Sequence, residues 1–138
     1  LLRNISVMDM APFLIRYPRV RLDLFHAGWP YTEEHAVIGK EFPNVWLNLA
    51  WAWTMNPATM ERTLDSWLAC VPHKKIFAYG GDVGQPMCEY GYAQQARIGI
   101  GRVLSKWVQR GDMTIEDAKE VARDIMLLNG CRFHGLEP

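Results

Sequence analysis

Three apolar segments, each followed by a stretch with helical periodicity, constrain the fold of this chain more than any other feature. They span residues 19–26, 45–51 and 75–82. This alternation is typical of βα units that carry parallel strands. The first segment ends in His26 and the third in Asp82. Because α/β proteins place their chemistry at the carboxyl ends of parallel strands, we expect these two side chains to meet at one rim, on the inner side of the sheet.

Start and stop signals predict five helices around these strands. Thr32, Asn56 and Thr114 are the predicted N-caps, since their side-chain oxygens can accept from the first free backbone N–H groups. Gly111 and the pair Asn129-Gly130 are the predicted C-terminal ends. The predicted helices cover residues 8–17, 32–42, 57–71, 90–110 and 115–128.

Composition limits the classes of protein to consider. The 138 residues have the length of one domain, and fifteen basic side chains balance fifteen acidic ones. No basic cluster interleaves with aromatic residues, so we expect neither nucleic acid nor a membrane as a partner. Three widely spaced cysteines indicate reduced thiols and a cytoplasmic protein. The chain begins without Met, a hint of truncation at the N-terminus, although the sequence does not tell whether the natural product extends upstream of Leu1.

His26 and Asp82 are the candidate catalytic and metal-ligating residues. His26 precedes the small pair Ala27-Gly28, which leaves room for a ligand, and Asp82 follows Gly80-Gly81. An imidazole and a carboxylate are both ligands for a divalent metal, and the carboxylate can also take a proton from water. The alternatives are a histidine that hydrogen-bonds within its loop and an aspartate that caps a turn.

Residues 20–51, with the strand-end His26-Ala27-Gly28 and the stretch FPNVWLNLAW, resemble the sixth and seventh βα units of the amidohydrolase superfamily. Residues 75–136, with KIFAYGGD and VARDIMLLNGCRFHGL, resemble the eighth unit and the terminal helix. The closest branches are the amidohydrolase-2 group and its uronate-isomerase-like relatives. One departure is Gly81, where the family commonly has Ser or Thr.

The resemblance implies a partial (β/α)8 TIM barrel, with about three C-terminal βα units and a final helix in the single segment 1–138. It implies metal-dependent hydrolysis, decarboxylation or isomerisation of a small carboxylate or sugar acid. Zinc or manganese would be held by His26 and Asp82, with Asp82 as general base. Candidate substrate-binding residues are Trp29, Trp51, Trp53 and Arg97. For the tryptophans the alternative is ordinary packing, and for Arg97 it is a solvated helix charge.

The same resemblance exposes a gap, because the family's His-x-His and its intermediate ligands have no counterpart here. His35, His73 and His134 do not replace them, since the first lies in a predicted helix, the second precedes a strand at the opposite rim and the third follows the last predicted helix. We therefore expect this chain alone to be inactive and to hold no metal by itself. The rival interpretations are a non-catalytic truncated or degenerate fragment and an open α/β binding domain.

Self-association is a further expectation. A sheet of three parallel strands exposes unpaired backbone groups at both edges. We also expect Leu22, Leu24, Leu47, Leu49 and Phe77 to make the inner face apolar. Together these features predict a homo-oligomer.

Overall fold

A computed structural model describes residues 6–138, which form an α/β fold around a small parallel sheet. The strands are β1 (Leu22–Leu24), β2 (Val45–Asn48) and β3 (Ile76–Phe77). Their order in the sheet is β1-β2-β3, with parallel pairing throughout. The prediction of three neighbouring parallel strands is therefore confirmed, although each strand is shorter than the apolar segment that indicated it.

Seven α-helical segments in the described residues surround the sheet. They are α1 (Ala11–Arg16), α2 (Thr32–Glu41), α3 (Ala52–Met55), α4 (Pro57–Cys70), α5 (Pro86–Arg110), α6 (Ile115–Arg123) and α7 (Asn129–His134). Short 3-10 turns lie at Val7–Met10, His26–Gly28 and His73–Lys75, and a π-helical turn at Asp124–Leu128 joins α6 to α7. Among residues 6–138, none of the helices combines the length and apolar character that a membrane crossing requires.

Several predicted helix ends are confirmed. The Asn56 side chain accepts from the backbone N–H of Thr59 at the start of α4. Thr114 and Asp117 form a reciprocal capping box at the start of α6. Gly111 ends α5 with a φ of 79°, a left-handed conformation that glycine adopts without a steric penalty.

Three other predicted boundaries are wrong. Thr32 is the first residue of α2, and its N-cap is Tyr31, which makes no side-chain capping bond. The helix α5 begins at Pro86, because proline is favoured in the first helical turn. The last helix does not stop at Asn129-Gly130 but continues to His134. Asn129 keeps a helical backbone and uses its side chain to bind another element instead of ending its own helix.

The leucines of the sheet face the helices rather than the inner side. Leu47 lies against Gly39 of α2, where a Cβ would be 2.8 Å from the Leu47 Cδ1. Leu24 is the register partner of Leu47, so the two side chains share this face. The expectation that the leucines make the inner face apolar is therefore wrong. The buried core lies between this leucine face and helices α2, α4 and α5.

The other face, which we call the inner face, is shared by the alternating residues of the strands. It carries Asp23, Trp46, Asn48 and Phe77. Phe133 of α7 packs on it, with ring centroids 4.9 Å from Trp46 and 5.4 Å from Phe77. The last helix therefore covers part of the inner face.

The outer edge of β3 is closed within the chain. The backbone N–H of Ala78 donates to the carbonyl oxygen of Ile125 at 2.8 Å. The Asn129 side-chain amide donates to the carbonyl oxygens of His73 and Ile76 at 2.8 and 2.9 Å. The expectation of two open sheet edges is wrong at this edge, because the π-helical turn and α7 satisfy its polar groups.

Candidate functional site

His26 and Asp82 meet at the carboxyl rim of the sheet, as predicted. The His26 Nε2 and the Asp82 Oδ2 are 2.7 Å apart, although 56 residues separate them in the chain. Their side chains are 46% and 57% exposed. An exposed ion pair stabilises a fold by only about 0–1 kcal/mol. A contribution this small to fold stability does not by itself explain why these two side chains are paired.

The backbone is strained where each strand ends at this rim. His26 and Ala27 follow β1 with φ values of 62° and 58°, Trp51 follows β2 with 61°, and Asp82 follows β3 with 46°. A non-glycine residue in the left-handed region costs about 1–3 kcal/mol, and such residues cluster at functional sites. Four of them at one rim, three being the predicted site residues His26, Trp51 and Asp82, support a functional role for this edge.

A cavity of about 550 Å³ opens beneath the pair, and both His26 and Asp82 line it. This volume falls in the range of small-molecule sites. The walls combine the inner face with the C-terminal segment. The other lining residues are Asp23, Phe25, Asn48, Ala50, Phe77, Tyr79, Gly80, Gly81, Ile125, Met126, Gly130 and His134.

Asp23 supplies a carboxylate to the cavity wall. The Asn48 Nδ2 donates to the Asp23 Oδ2 at 2.8 Å, and the Asn48 Oδ1 accepts from the backbone N–H of Ala50 at 2.8 Å. Burial raises the pKa of Asp23, while the bond from Asn48 and the nearby His134 oppose that shift. The amide of Asn48 thus fixes the orientation of a partly desolvated acid.

A second carboxylate, that of Glu89 in α5, contacts Tyr79 of the cavity wall. The Tyr79 hydroxyl donates to the Glu89 carboxylate and, at 3.2 Å, lies within reach of the Glu89 carbonyl oxygen. Burial and this acceptor raise the Tyr79 pKa above its ordinary value, so the phenol stays protonated. The Glu89 carboxylate lies where a side chain on Gly81 would project, since a Cβ there would be 1.7 Å from its Oε2. A side chain at position 81 would therefore have to displace the Glu89 carboxylate from this position.

The four candidate substrate-binding residues have different surroundings. The Trp51 ring lies edge-on to His26, with centroids 5.6 Å apart, and lines a smaller cavity together with Asp82. Trp29 is exposed and does not line the main cavity. Arg97 is exposed on α5 and also lies outside the lining, but its charge lowers the Tyr79 pKa against the larger upward shifts.

The prediction that Trp53 binds the substrate is wrong, because Trp53 is a core residue and does not line the cavity. It is 1% exposed, its Nε1 donates to the carbonyl oxygen of Ala78 at 2.7 Å, and its ring packs against Gly99. The small Gly99 on α5 makes room for the indole. Burial and a satisfied N–H leave no part of Trp53 for a substrate.

The three remaining histidines also differ in role. His35 is buried within α2. His73 lies at the opposite end of the sheet, where its Nε2 is 3.0 Å from the Asp124 Oδ2. The prediction that His134 follows the last helix is wrong, because His134 lies in α7 and lines the cavity of about 550 Å³. The continuation of the helix through the π-helical turn brings it there.

The described residues do not complete a metal site. A catalytic zinc commonly has three protein ligands, and His26 with Asp82 offers two. Among residues 6–138, no group of three or more His, Cys, Asp or Glu side chains is arranged to hold a metal ion. The donor set of this chain therefore falls short of what the resemblance implies.

Sequence reasoning missed Asp23, Asn48, Tyr79 and His134 as wall residues. The first two had a usable signal, because each is a polar residue between two leucines in a strand and must face away from them. Tyr79 likewise alternates with the buried Ala78. Nothing in the local sequence predicts that His134 folds back onto this rim.

No protein-family model matches the chain. The chain is similar to protein fluG of Emericella nidulans, with 31% identity over 124 residues. That match covers 89% of this chain but only 14% of the length of fluG. The chain thus resembles a small part of a much longer protein, whose name states no activity.

Proposed function

We propose that this chain is the C-terminal part of an amidohydrolase-superfamily barrel, with the His26–Asp82 pair at its active-site rim. The parent reaction is hydrolysis, decarboxylation or isomerisation of a small carboxylate or sugar acid. The observation that carries the proposal is the 2.7 Å approach of these two side chains over a cavity of about 550 Å³. The strained backbone at the same rim supports it.

In this proposal Asp82 is the general base toward water or a substrate hydroxyl. Its carboxylate is exposed to the cavity and is oriented by His26, which is the arrangement that proton transfer needs. Trp51 lies against His26 and lines the smaller cavity beside Asp82, where it would contact the substrate. The positive charge of Arg97 acts on Tyr79, which lines the cavity, and Arg97 is the candidate for attracting a substrate carboxylate.

A divalent metal would need ligands beyond those of this chain. His26 and Asp82 would contribute two, and strands of the barrel outside residues 6–138 would contribute the rest. We therefore assign no step of a reaction to a metal held by this chain alone.

The second candidate is a non-catalytic segment that self-associates. The observation in its favour is that Phe133 packs on Trp46 and Phe77 of the inner face. In a closed barrel that face would meet the side chains of the other strands, so the last helix occupies space that the barrel would use.

The decisive experiment compares the 138-residue chain with a longer version extended by its natural upstream sequence. We expect the longer protein to retain near-stoichiometric zinc or manganese after dialysis and to lose it with His26→Asn or Asp82→Asn. Asp112→Asn is the matched control, since Asp112 is a similarly exposed, ion-paired aspartate distant from the cavity lining. Elemental analysis measures the metal and circular dichroism checks the fold.

Two outcomes would reject the barrel proposal. One is an upstream reading frame that encodes no further barrel strands and no His-x-His. The other is metal retention in the longer protein that neither the His26 nor the Asp82 substitution reduces.

A further inference from the structure

Tyr79 and Glu89 join the segment that follows β3 to the first turn of α5. The Tyr79 hydroxyl donates to the Glu89 carboxylate, and it lies 3.2 Å from the carbonyl oxygen of the same residue. Burial and this acceptor raise the pKa of Tyr79, so the phenol keeps its proton and remains a donor. Glu89 lies in the first turn of a 25-residue helix, whose dipole favours a negative charge at this end. Both groups are therefore in the protonation state that the bond requires.

The Glu89 carboxylate also fills the space beside the backbone of Gly81. A Cβ built on Gly81 would overlap this carboxylate, whose atoms are its nearest neighbours. Gly81 directly precedes Asp82, which has a φ of 46°. A residue other than glycine in this left-handed region is strained and persists only where its surroundings hold it. Contacts around Asp82 must therefore supply the restraint.

Backbone hydrogen bonds do not supply that restraint. The last one along this strand end is the bond from the Trp51 N–H to the carbonyl oxygen of Gly80, at 2.9 Å. Residues 81–84 make no backbone–backbone hydrogen bond within the described part of the chain. Two side-chain contacts are left, namely the Glu89 carboxylate against Gly81 and the His26 Nε2, 2.7 Å from the Asp82 Oδ2.

We infer that Tyr79 and Glu89 are positioning residues, which fix Gly81 and thereby hold Asp82 against His26. The phenol orients the carboxylate, the carboxylate packs against Gly81, and the next residue carries the side chain of the proposed base. A base must lie within hydrogen-bond reach of the proton that it takes, and a small displacement slows the transfer. The role of Asp82 as a base rests on the proposed function, whereas the restraint on its backbone does not.

The test measures backbone order in the 138-residue chain by nitrogen-15 NMR relaxation. In the wild type we expect order parameters of about 0.85 at Gly81 and Asp82, the value of a rigid backbone. Tyr79→Phe keeps the ring and removes the donor, whereas Glu89→Ala removes the acceptor. Each should lower both order parameters to about 0.6 or less. Each should also abolish the nuclear Overhauser cross-peaks between the His26 ring and the Asp82 side chain.

A conservative variant and a matched control complete the test. Glu89→Gln keeps a side-chain oxygen that can accept from Tyr79, so it should retain the order parameters and the cross-peaks. Tyr17→Phe makes the same chemical change at an exposed tyrosine outside the cavity lining, and it should leave Gly81 and Asp82 unchanged. A general loss of stability would not depend in this way on the acceptor at position 89.

The inference is overturned if a folded Tyr79→Phe or Glu89→Ala chain keeps the wild-type order parameters, or if the wild type is already disordered at Gly81 and Asp82. It is also overturned if Glu89→Gln gives the same loss as Glu89→Ala, because the hydrogen bond would then not be the restraint. Circular dichroism checks the fold, and one folded variant is enough, since the two break the same bond from opposite sides. No measurement requires turnover, so a failure of the proposed function does not change the outcome.

Discussion

The side-chain amide of Asn129 donates to the backbone carbonyl oxygen of Ile76 at 2.9 Å, joining the last helix to the outer edge of the last strand. The same amide reaches the carbonyl oxygen of His73 at 2.8 Å. One buried side chain thus donates to the carbonyl group of Ile76 in the strand and to that of His73 in the preceding turn, which also accepts from the backbone N–H of Ile76.

We expect Asn129→Leu to lower the free energy of unfolding by about 1–3 kcal/mol, because the Ile76 carbonyl loses this donor and the His73 carbonyl keeps only the backbone N–H of Ile76. Urea unfolding followed by circular dichroism measures the change. Gln109→Ala, on the exposed end of α5, is the control and should change stability by less than about 0.5 kcal/mol. A loss for Asn129→Leu no larger than that of the control would contradict the role assigned to this amide.

Replacing either of two glycines of α5 with alanine should change the stability of the protein, and the two changes should have opposite signs. A Cβ on Gly99 would lie 2.2 Å from the Trp53 Cζ3, whereas a Cβ on Gly101 meets nothing within 4 Å. We expect Gly99→Ala to destabilise the protein by about 1–3 kcal/mol through overpacking. Gly101→Ala should stabilise it by up to about 1 kcal/mol, because alanine is the better helix former. Thermal unfolding of both variants checks the pair, and equal midpoints would contradict the packing of Trp53.

Asp124 should make the stability of the protein sensitive to acid. Burial alone would raise its pKa, but hydrogen bonds from His73 and Arg132 outweigh burial and hold the pKa below its ordinary value. A carboxyl with a lowered folded pKa stabilises the fold above its unfolded pKa of about 4. That contribution is lost as the pH falls from about 4 through the folded pKa.

The matching variant is Asp124→Asn, which removes the charge. We expect it to be less stable by about 2 kcal/mol at neutral pH and to lose less stability on acidification than the wild type. Urea midpoints measured from pH 6 to pH 2 provide the test. Parallel pH profiles for the two proteins would show that Asp124 does not cause the acid sensitivity.

The 138-residue chain alone should show no metal-dependent turnover, even with zinc or manganese in excess. The reason is that His26 and Asp82 offer two ligands and no third acidic, histidine or cysteine group converges on them within residues 6–138. Assays with small carboxylates and sugar acids, with and without added metal, measure this. Turnover that requires metal and disappears with Asp82→Asn would contradict the expectation.

Self-association should depend on the strand edge that residues 6–138 leave open. Within this part of the chain β1 is paired on one side only, and near it Val20, Phe25 and Trp29 are exposed. We expect light scattering to detect a dimer or larger species at tens of micromolar. Phe25→Lys should shift the equilibrium toward the monomer, because a charge at an exposed edge opposes pairing. A wild-type chain that stays monomeric over this range would contradict the prediction.

The local sequence determined the order of the elements and several of their ends. Apolar segments gave the three parallel strands, and the ends at Asn56, Thr114 and Gly111 follow from the chemistry of a few adjacent residues. The meeting of His26 and Asp82 was also predictable, because parallel strands bring their carboxyl ends to the same rim.

Only the tertiary structure decided the faces of the sheet and the course of the last helix. The alternation in each strand is symmetric, so it separates two sets of residues without saying which set meets the helices. At Asn129 the local preference for a helix end is overridden by hydrogen bonds to the carbonyl oxygens of His73 and Ile76. Because the Asn129 side chain donates to acceptors 53 and 56 residues away, Asn129 stays within the helix, and the helix continues and places Phe133 and His134 on the inner face.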